Sequence, residues 1–170
     1  MTIRLLTLLF ALCLGSTAGA QNNWSVPGNV CIPSAATIKS DLHRTTLAAV
    51  RHAGTKVGTI LLTCQMERFN SGTAAWNLKL TYQDSTGTGT TAFVRARLYR
   101  MAIGSVTPVL LATVSSNSSA STDVNTASSS ELAHTFDFEV NTYWVRVELK
   151  RKSSSETVIL HSIVLDGTSV

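Results

Sequence analysis

The segment 143–150 (YWVRVELK) alternates apolar and polar side chains with a period of two. A chain that repeats this pattern can bury its apolar side only as a pleated sheet with one dry and one wet face. Tyr143, Val145, Val147 and Leu149 fall on one side, and Trp144, Arg146, Glu148 and Lys150 on the other. The preceding stretch 134–140 carries the same signal, with Phe136, Phe138 and Val140 interleaved by Thr135, Asp137 and Glu139. Asn141-Thr142 between the two reads as a hairpin turn, because Asn tolerates positive φ.

The alternation recurs upstream. Trp76, Leu78, Leu80 and Tyr82 share a face opposite Asn77, Lys79 and Thr81. Val94, Ala96 and Leu98 share a face opposite Arg95, Arg97 and Tyr99. Ile60, Leu62 and Cys64 share a third, which turns the cysteine toward the core. The runs 109–114 and 158–165 are rich in β-branched residues and of strand length. The stretch 40–52 carries helix signals, with Ser40 or Asp41 as N-cap and Gly54 as stop. Its apolar residues make no helical stripe, and Thr45, Thr46 and Val50 favour extension, so 46–52 is expected as a strand turning through 53–56 into 57–65. The sum is eight or nine strands and no long helix. This predicts an all-β chain folded as an antiparallel β-sandwich, jelly-roll-like in arrangement. An immunoglobulin arrangement fits less well, since Trp76 lies beyond Cys64 rather than between the cysteines.

The first twenty residues read as an export signal. Arg4 precedes the apolar run 5–14, and Ala18-Gly19-Ala20 is a small-x-small cleavage site, predicting release near Ala20. The run is too short to span a bilayer, which takes roughly 20 apolar residues. A lipid anchor at Cys13 is disfavoured by Leu12 before it. The expected destination is therefore secreted or periplasmic, with residues 21–170 forming a single domain. Loss of Arg4 leaves a net charge of +3, too mild to demand nucleic acid. The triplet Lys150-Arg151-Lys152 is expected in a solvated turn. The remaining cysteines, Cys31 and Cys64, are expected to form a disulfide in an oxidising compartment. Closing a loop of that length is worth roughly 3–4 kcal/mol in the chain-entropy model.

Two loops stand out. The segment 84–91 (DSTGTGTT) reads as a Gly/Thr hairpin loop. The segment 115–130 holds eight serines in sixteen residues, with Val124 its one larger apolar group. That composition predicts a mobile loop.

The search for chemistry yields little. His43, His52, His134 and His161 are not at metal-ligand spacing and are expected at the surface or at strand edges. Asp84, Asp123 and Asp166 form no calcium-loop cluster. The chain has no G-x-S-x-G, G-x-x-x-x-G-K-[ST] or G-x-G-x-x-G. No catalytic residue, metal ligand or cofactor is assigned. The softer signal lies on outward faces. If the strands carrying Trp144 and Arg146 and those carrying Arg95, Arg97 and Tyr99 are neighbours, aromatic and guanidinium groups meet on one surface. Such groups suit stacking on sugar rings or recognition of anionic polymers.

The segments 29–34 (NVCIPS) and 57–64 (VGTILLTC) resemble those of small exported bacterial proteins of unknown function, in which Cys-x-Pro precedes a G-x-I-x-L-x-C strand. The resemblance implies export and a paired-cysteine β-sandwich, and brings no functional residue with it. The expected function is that of a secreted, non-enzymatic β-sandwich that binds or coats something at the cell exterior, its partner open between a glycan and another cell-surface component. One alternative is a carbohydrate-binding module, with Trp144, Trp76 or Trp24 as stacking platform. Another is a subunit of an extracellular assembly pairing through an edge strand.

Overall fold

The computed structural model describes residues 23–69 and 74–169. Two antiparallel sheets face each other. In the first, the long strands β6 (Ala74–Asp84) and β12 (Val158–Ser169) form the centre. The outer edge of β12 is shared by β1 (Asn23–Pro27) and by the hairpin of β3 (His43–Thr46) and β4 (Ala49–His52). The outer edge of β6 is shared by β9 (Val124–Ser128) and β10 (Leu132–Ala133). The second sheet runs β2 (Ile32–Pro33), β5 (Gly58–Gln65), β11 (Asn141–Arg151), β7 (Phe93–Ala102), β8 (Val109–Ser115). The chain crosses repeatedly between sheets, as jelly rolls do. The described strands number twelve rather than eight or nine. The additions are short edge strands, which have too few residues to show a period.

The predicted faces are the buried ones. Trp76, Leu78, Leu80 and Tyr82 from β6 are fully enclosed. So are Val94, Ala96 and Leu98 from β7 and Val145, Val147 and Leu149 from β11. Cys31 and Cys64 are bonded, tying the lead into β2 onto β5. Gly28 passes so close to β12 that a Cβ there would lie 2.8 Å from the Leu160 carbonyl oxygen, which excludes any larger residue.

Four expectations are corrected. First, 134–140 is not a strand and Asn141-Thr142 is not a hairpin turn, since β11 itself begins at Asn141. Phe136 and Phe138 join an aromatic cluster with Phe69, Trp76 and Tyr143 at the end of the sandwich. The backbone there bonds locally: the Asp137 N–H donates to the Tyr143 hydroxyl at 3.1 Å and the Asn141 N–H to the Asp137 carbonyl. Second, 40–52 holds the β3–β4 hairpin, with Leu47-Ala48 at its tip. A five-residue helix, α1 (Ala35–Lys39), precedes it, and Ser34 caps it by accepting from the Thr37 N–H. Third, the serine-rich stretch contains β9 and a 3-10 turn at Ser116–Ser118. Small hydroxyl residues can pair at a sheet edge because β9 needs only backbone bonds to β6. Fourth, 84–91 carries the chain from one sheet to the other instead of closing a hairpin.

That crossing is pinned by a buried carboxylate. Asp84 is fully enclosed and accepts from the Ser116 hydroxyl at 2.6 Å and from the Thr86 hydroxyl and N–H at 2.9 and 3.0 Å. The Ser116 oxygen accepts in turn from the Val94 N–H at 3.0 Å. One side chain thereby joins the end of β6, the start of β7 and the turn after β8. Buried donors left without an acceptor are costly. Asp84→Ala is therefore expected to lower unfolding free energy by about 2–4 kcal/mol. Asp123→Ala, in an exposed position, is expected to stay within about 0.5 kcal/mol of the parent. Urea titrations of both variants check this.

Candidate functional site

The outer face of the second sheet brings together all five residues singled out from the sequence. β7 and β11 are adjacent, and their register sets Tyr99 opposite Trp144, Arg97 opposite Arg146 and Arg95 opposite Glu148. Cross-strand partners share a face, so the three pairs form successive rows. The Tyr99 and Trp144 rings stack in parallel, with centroids 5.6 Å apart and planes 17° apart. Both rings are half-buried. The planes are near enough to parallel, and the centroids far enough apart, for an offset stack, the arrangement aromatic quadrupoles favour.

The charges on this face are unequal. Glu148 lies 3.6 Å from Arg97 and 4.0 Å from Arg95. Arg146 is exposed and forms no ion pair among the described residues. In the last row Phe93 is buried beneath the Arg95 guanidinium at 4.5 Å and the Lys150 ammonium at 5.4 Å. These cation–π contacts hold both cations flat on the sheet. The face is therefore basic, with Glu148 as the anion among the paired rows. Glu148 is not among the site residues expected from the sequence, although alternation places it on the face of Trp144 and Arg146. It was legible as position but not as an ion-pair partner, because its partners come from another strand.

The other tryptophans are corrected as stacking platforms. Trp76 is fully buried, and Trp24 is 7% exposed. A cleft of about 620 Å³ lies beside the aromatic cluster, lined by Phe69, Phe136, Phe138 and the Arg68–Glu139 ion pair. Phe69 packs edge-on or tilted against Trp76, Phe136 and Phe138 at centroid distances near 5 Å, and Phe136 and Phe138 stack at 6.2 Å. Among the described residues no group of three or more His, Cys, Asp and Glu could hold a metal ion. No described helix is long and apolar enough to cross a membrane.

Two further expectations change. Arg151 is buried rather than solvated: its guanidinium donates to the carbonyls of Gly54, Lys56 and Glu156. His52 is buried as well, with its Nε2 3.1 Å from the Gly58 carbonyl oxygen. A carbonyl can only accept, so Nε2 carries the proton and Nδ1 presents a lone pair. Burial, reinforced by the Arg151 charge, holds this imidazole down to about 4.

No protein-family profile and no curated protein sequence matches the chain. Among solved structures, the chain is similar in fold to the CBM36-1 domain of a multidomain xylanase from the hindgut metagenome of Trinervitermes trinervoides. The TM-score is 0.52 at 8% identity, over 88% of this chain and 100% of that one. A family two carbohydrate esterase from Cellvibrio japonicus overlaps at TM-score 0.39 and 14% identity, over 86% of this chain and 34% of that one. The first likeness concerns the β-sandwich alone, and the second is too loose to support an inference.

The buried imidazole has a consequence for stability. Its folded pKa lies below the ordinary 6.5, so between pH 4 and 6.5 the unfolded chain binds the proton more readily. Stability is full above pH 6.5 and falls as pH drops toward 4. His134 is also lowered, by burial and by Arg100, and adds in the same direction. His52→Gln keeps a donor for Gly58 and removes the titration. Against the parent, its unfolding free energy is expected to fall less between pH 7 and pH 4, by on the order of 2–3 kcal/mol, and its melting temperature correspondingly less. Scanning calorimetry across that range checks the slope.

Proposed function

We propose that the protein is an exported carbohydrate-binding module whose platform is the Tyr99–Trp144 face. The observation that carries this reading is the parallel aromatic pair standing half-exposed on an open sheet surface. A tryptophan contributes most to stability when enclosed, and the core of this protein encloses the other two. The ring surface left outside the Tyr99–Trp144 stack is apolar and can meet the C–H groups of a sugar ring. Arg97, Arg146 and Glu148, in the next two rows, offer donors and acceptors to its hydroxyls. The pairing of Glu148 with Arg95 and Arg97 fixes those side chains before any ligand arrives, which lowers the ordering cost of binding.

The surface is open rather than cleft-like, so it suits internal residues of an extended chain better than an enclosed single sugar. Reading the protein as a binding module rather than an enzyme fits a platform built of stacking and hydrogen-bonding groups. The likeness in fold to the CBM36-1 domain agrees with this reading. The Cys31–Cys64 bond agrees with an oxidising location. The export signal at 1–20 lies outside the described residues and remains part of the proposal.

Glycan-array screening followed by affinity electrophoresis on the best polysaccharide tests the reading. Trp144→Ala is expected to weaken binding tenfold or more, about 1.4 kcal/mol or more. Asp123→Ala, in the exposed segment before β9 of the first sheet, should leave it unchanged. Silence on the array, or retained affinity in a folded Trp144→Ala variant, would falsify the proposal.

A further inference from the structure

The end of the second sheet where β7 turns into β8 is apolar and open to water. Ile103 and Val106 in the connecting segment, Val109 and Leu110 at the start of β8, and Val140 just before β11 are between 45% and 91% exposed. They form one patch. The Ile103 N–H donates to the Val140 carbonyl at 2.9 Å, and Val109 and Leu110 pair with Arg100 and Tyr99 of β7. We propose that this hairpin tip and the outer face behind it dock on an anionic lipid bilayer, the aliphatic tip entering the acyl boundary and the arginines meeting lipid phosphates.

Single exposed apolar residues need no explanation, but a contiguous patch marks a contact surface. No charged residue stands between Arg100 and Asp123, so the tip and the edge strand β8 lack the charges that ordinarily guard an open sheet edge. The tip begins with a closed turn. The Ser105 N–H donates to the Ala102 carbonyl at 2.9 Å, and Gly104 supplies a positive φ of 85° inside it. The fold therefore holds Ile103 out in water. Of the acidic side chains just before Val140, Glu139 pairs with Arg68 at 3.2 Å and Asp137 accepts from the Glu139 N–H.

The order of side chains behind the tip selects the partner. Back along β7, the outer face passes from aliphatic Ile103 through Met101 to the Tyr99–Trp144 rings, and then to Arg97 opposite Arg146. Tyr99 lies about 13 Å of strand behind Ile103, and Arg97 about 7 Å further. A bilayer presents the same sequence with depth: acyl chains, then the interface where Tyr and Trp settle, then phosphates. With the outer face leaning toward the lipid, the arginine stems carry their charges down to the headgroups. The charge is of the right sign, since Arg95, Arg97, Arg146 and Lys150 outnumber Glu148, and Arg146 has no ion-pair partner among the described residues. A two-fold contact with a second copy through this face would bring two cationic surfaces together. A glycan on the rings and polar rows would leave Ile103 and Val106 in water. This inference does not rest on the glycan reading, whose platform does not use the tip.

Co-sedimentation of the intact protein with vesicles of mixed phosphatidylglycerol and phosphatidylcholine, against phosphatidylcholine alone, tests the proposal. Binding is expected to be about tenfold or more tighter on the anionic vesicles and to weaken as salt rises. Val106→Asp places a charge at the tip and should weaken it about tenfold or more. Arg146→Gln removes one cation and should weaken it about fivefold. Leu47→Asp, at the equally open tip of the β3–β4 hairpin, should leave it unchanged. All three positions lie outside the core, so the variants should fold. Val106→Asp should also keep any affinity for glycans, so the two readings can fail separately. The proposal is overturned if the protein ignores anionic vesicles, if it binds neutral ones as tightly, or if Val106→Asp binds like the parent. It is equally overturned if the lipid-free protein forms a dimer in ultracentrifugation that Val106→Asp dissolves, since the tip would then belong to a second copy.

Discussion

The structure depends on the meeting of two alternating faces. Trp76, Leu78, Leu80 and Tyr82 from one sheet, and Val94, Ala96, Leu98, Val145, Val147 and Leu149 from the other, are enclosed almost without exposure. A one-residue slip of β11 would turn Trp144, Arg146 and Glu148 inward and send four apolar side chains to water. The register that buries the core is therefore the same register that lines up the outer rows. Tyr99 meets Trp144 and Arg97 meets Arg146 because Leu98 and Val145 must meet behind them. The candidate platform is a consequence of core packing, on strands held rigid by a full complement of ladder bonds.

Polar side chains take over where the chain leaves a sheet. Asp84 gathers hydroxyl and amide donors at the crossing from β6 to β7, and Arg151 gathers three carbonyls at the exit from β11. Both are charged groups taken out of water, and both have several charge-assisted bonds to offset that loss. Each satisfies several backbone groups of irregular segments, which a ladder would otherwise satisfy. The Arg151 corner also forms one wall of a cavity beside the β3–β4 hairpin.

The sandwich, the disulfide and the outward faces of β7 and β11 were legible in the sequence, because period two and a lone cysteine pair are signals that survive in a single chain, whereas the adjacency of those two strands came only with the fold. What escaped were features created by distant segments. Phe136 and Phe138 alternate like strand residues, yet the ring of Tyr143 and the Trp76–Phe69 contact draw 134–140 into an irregular cap. The stretch 115–130 looks too polar to order itself, and it gains order by laying β9 along an edge already formed by β6. His52 and Arg151 look solvent-facing from composition, and their burial follows from two turns, 53–58 after β4 and 152–157 after β11, that lie far apart in sequence. Trp24 and Trp76 were indistinguishable from Trp144 by residue type, and only the facing sheet separates them.

Of the three tryptophans in the chain, Trp144 is half-exposed and Trp24 and Trp76 are interior. Their indole N–H groups give three separate nitrogen–proton correlation signals, which can be followed during titration with a bound oligosaccharide. The account predicts that the Trp144 signal moves in proportion to saturation while those of Trp24 and Trp76 stay in place. Saturable binding that leaves the Trp144 signal unmoved would contradict it.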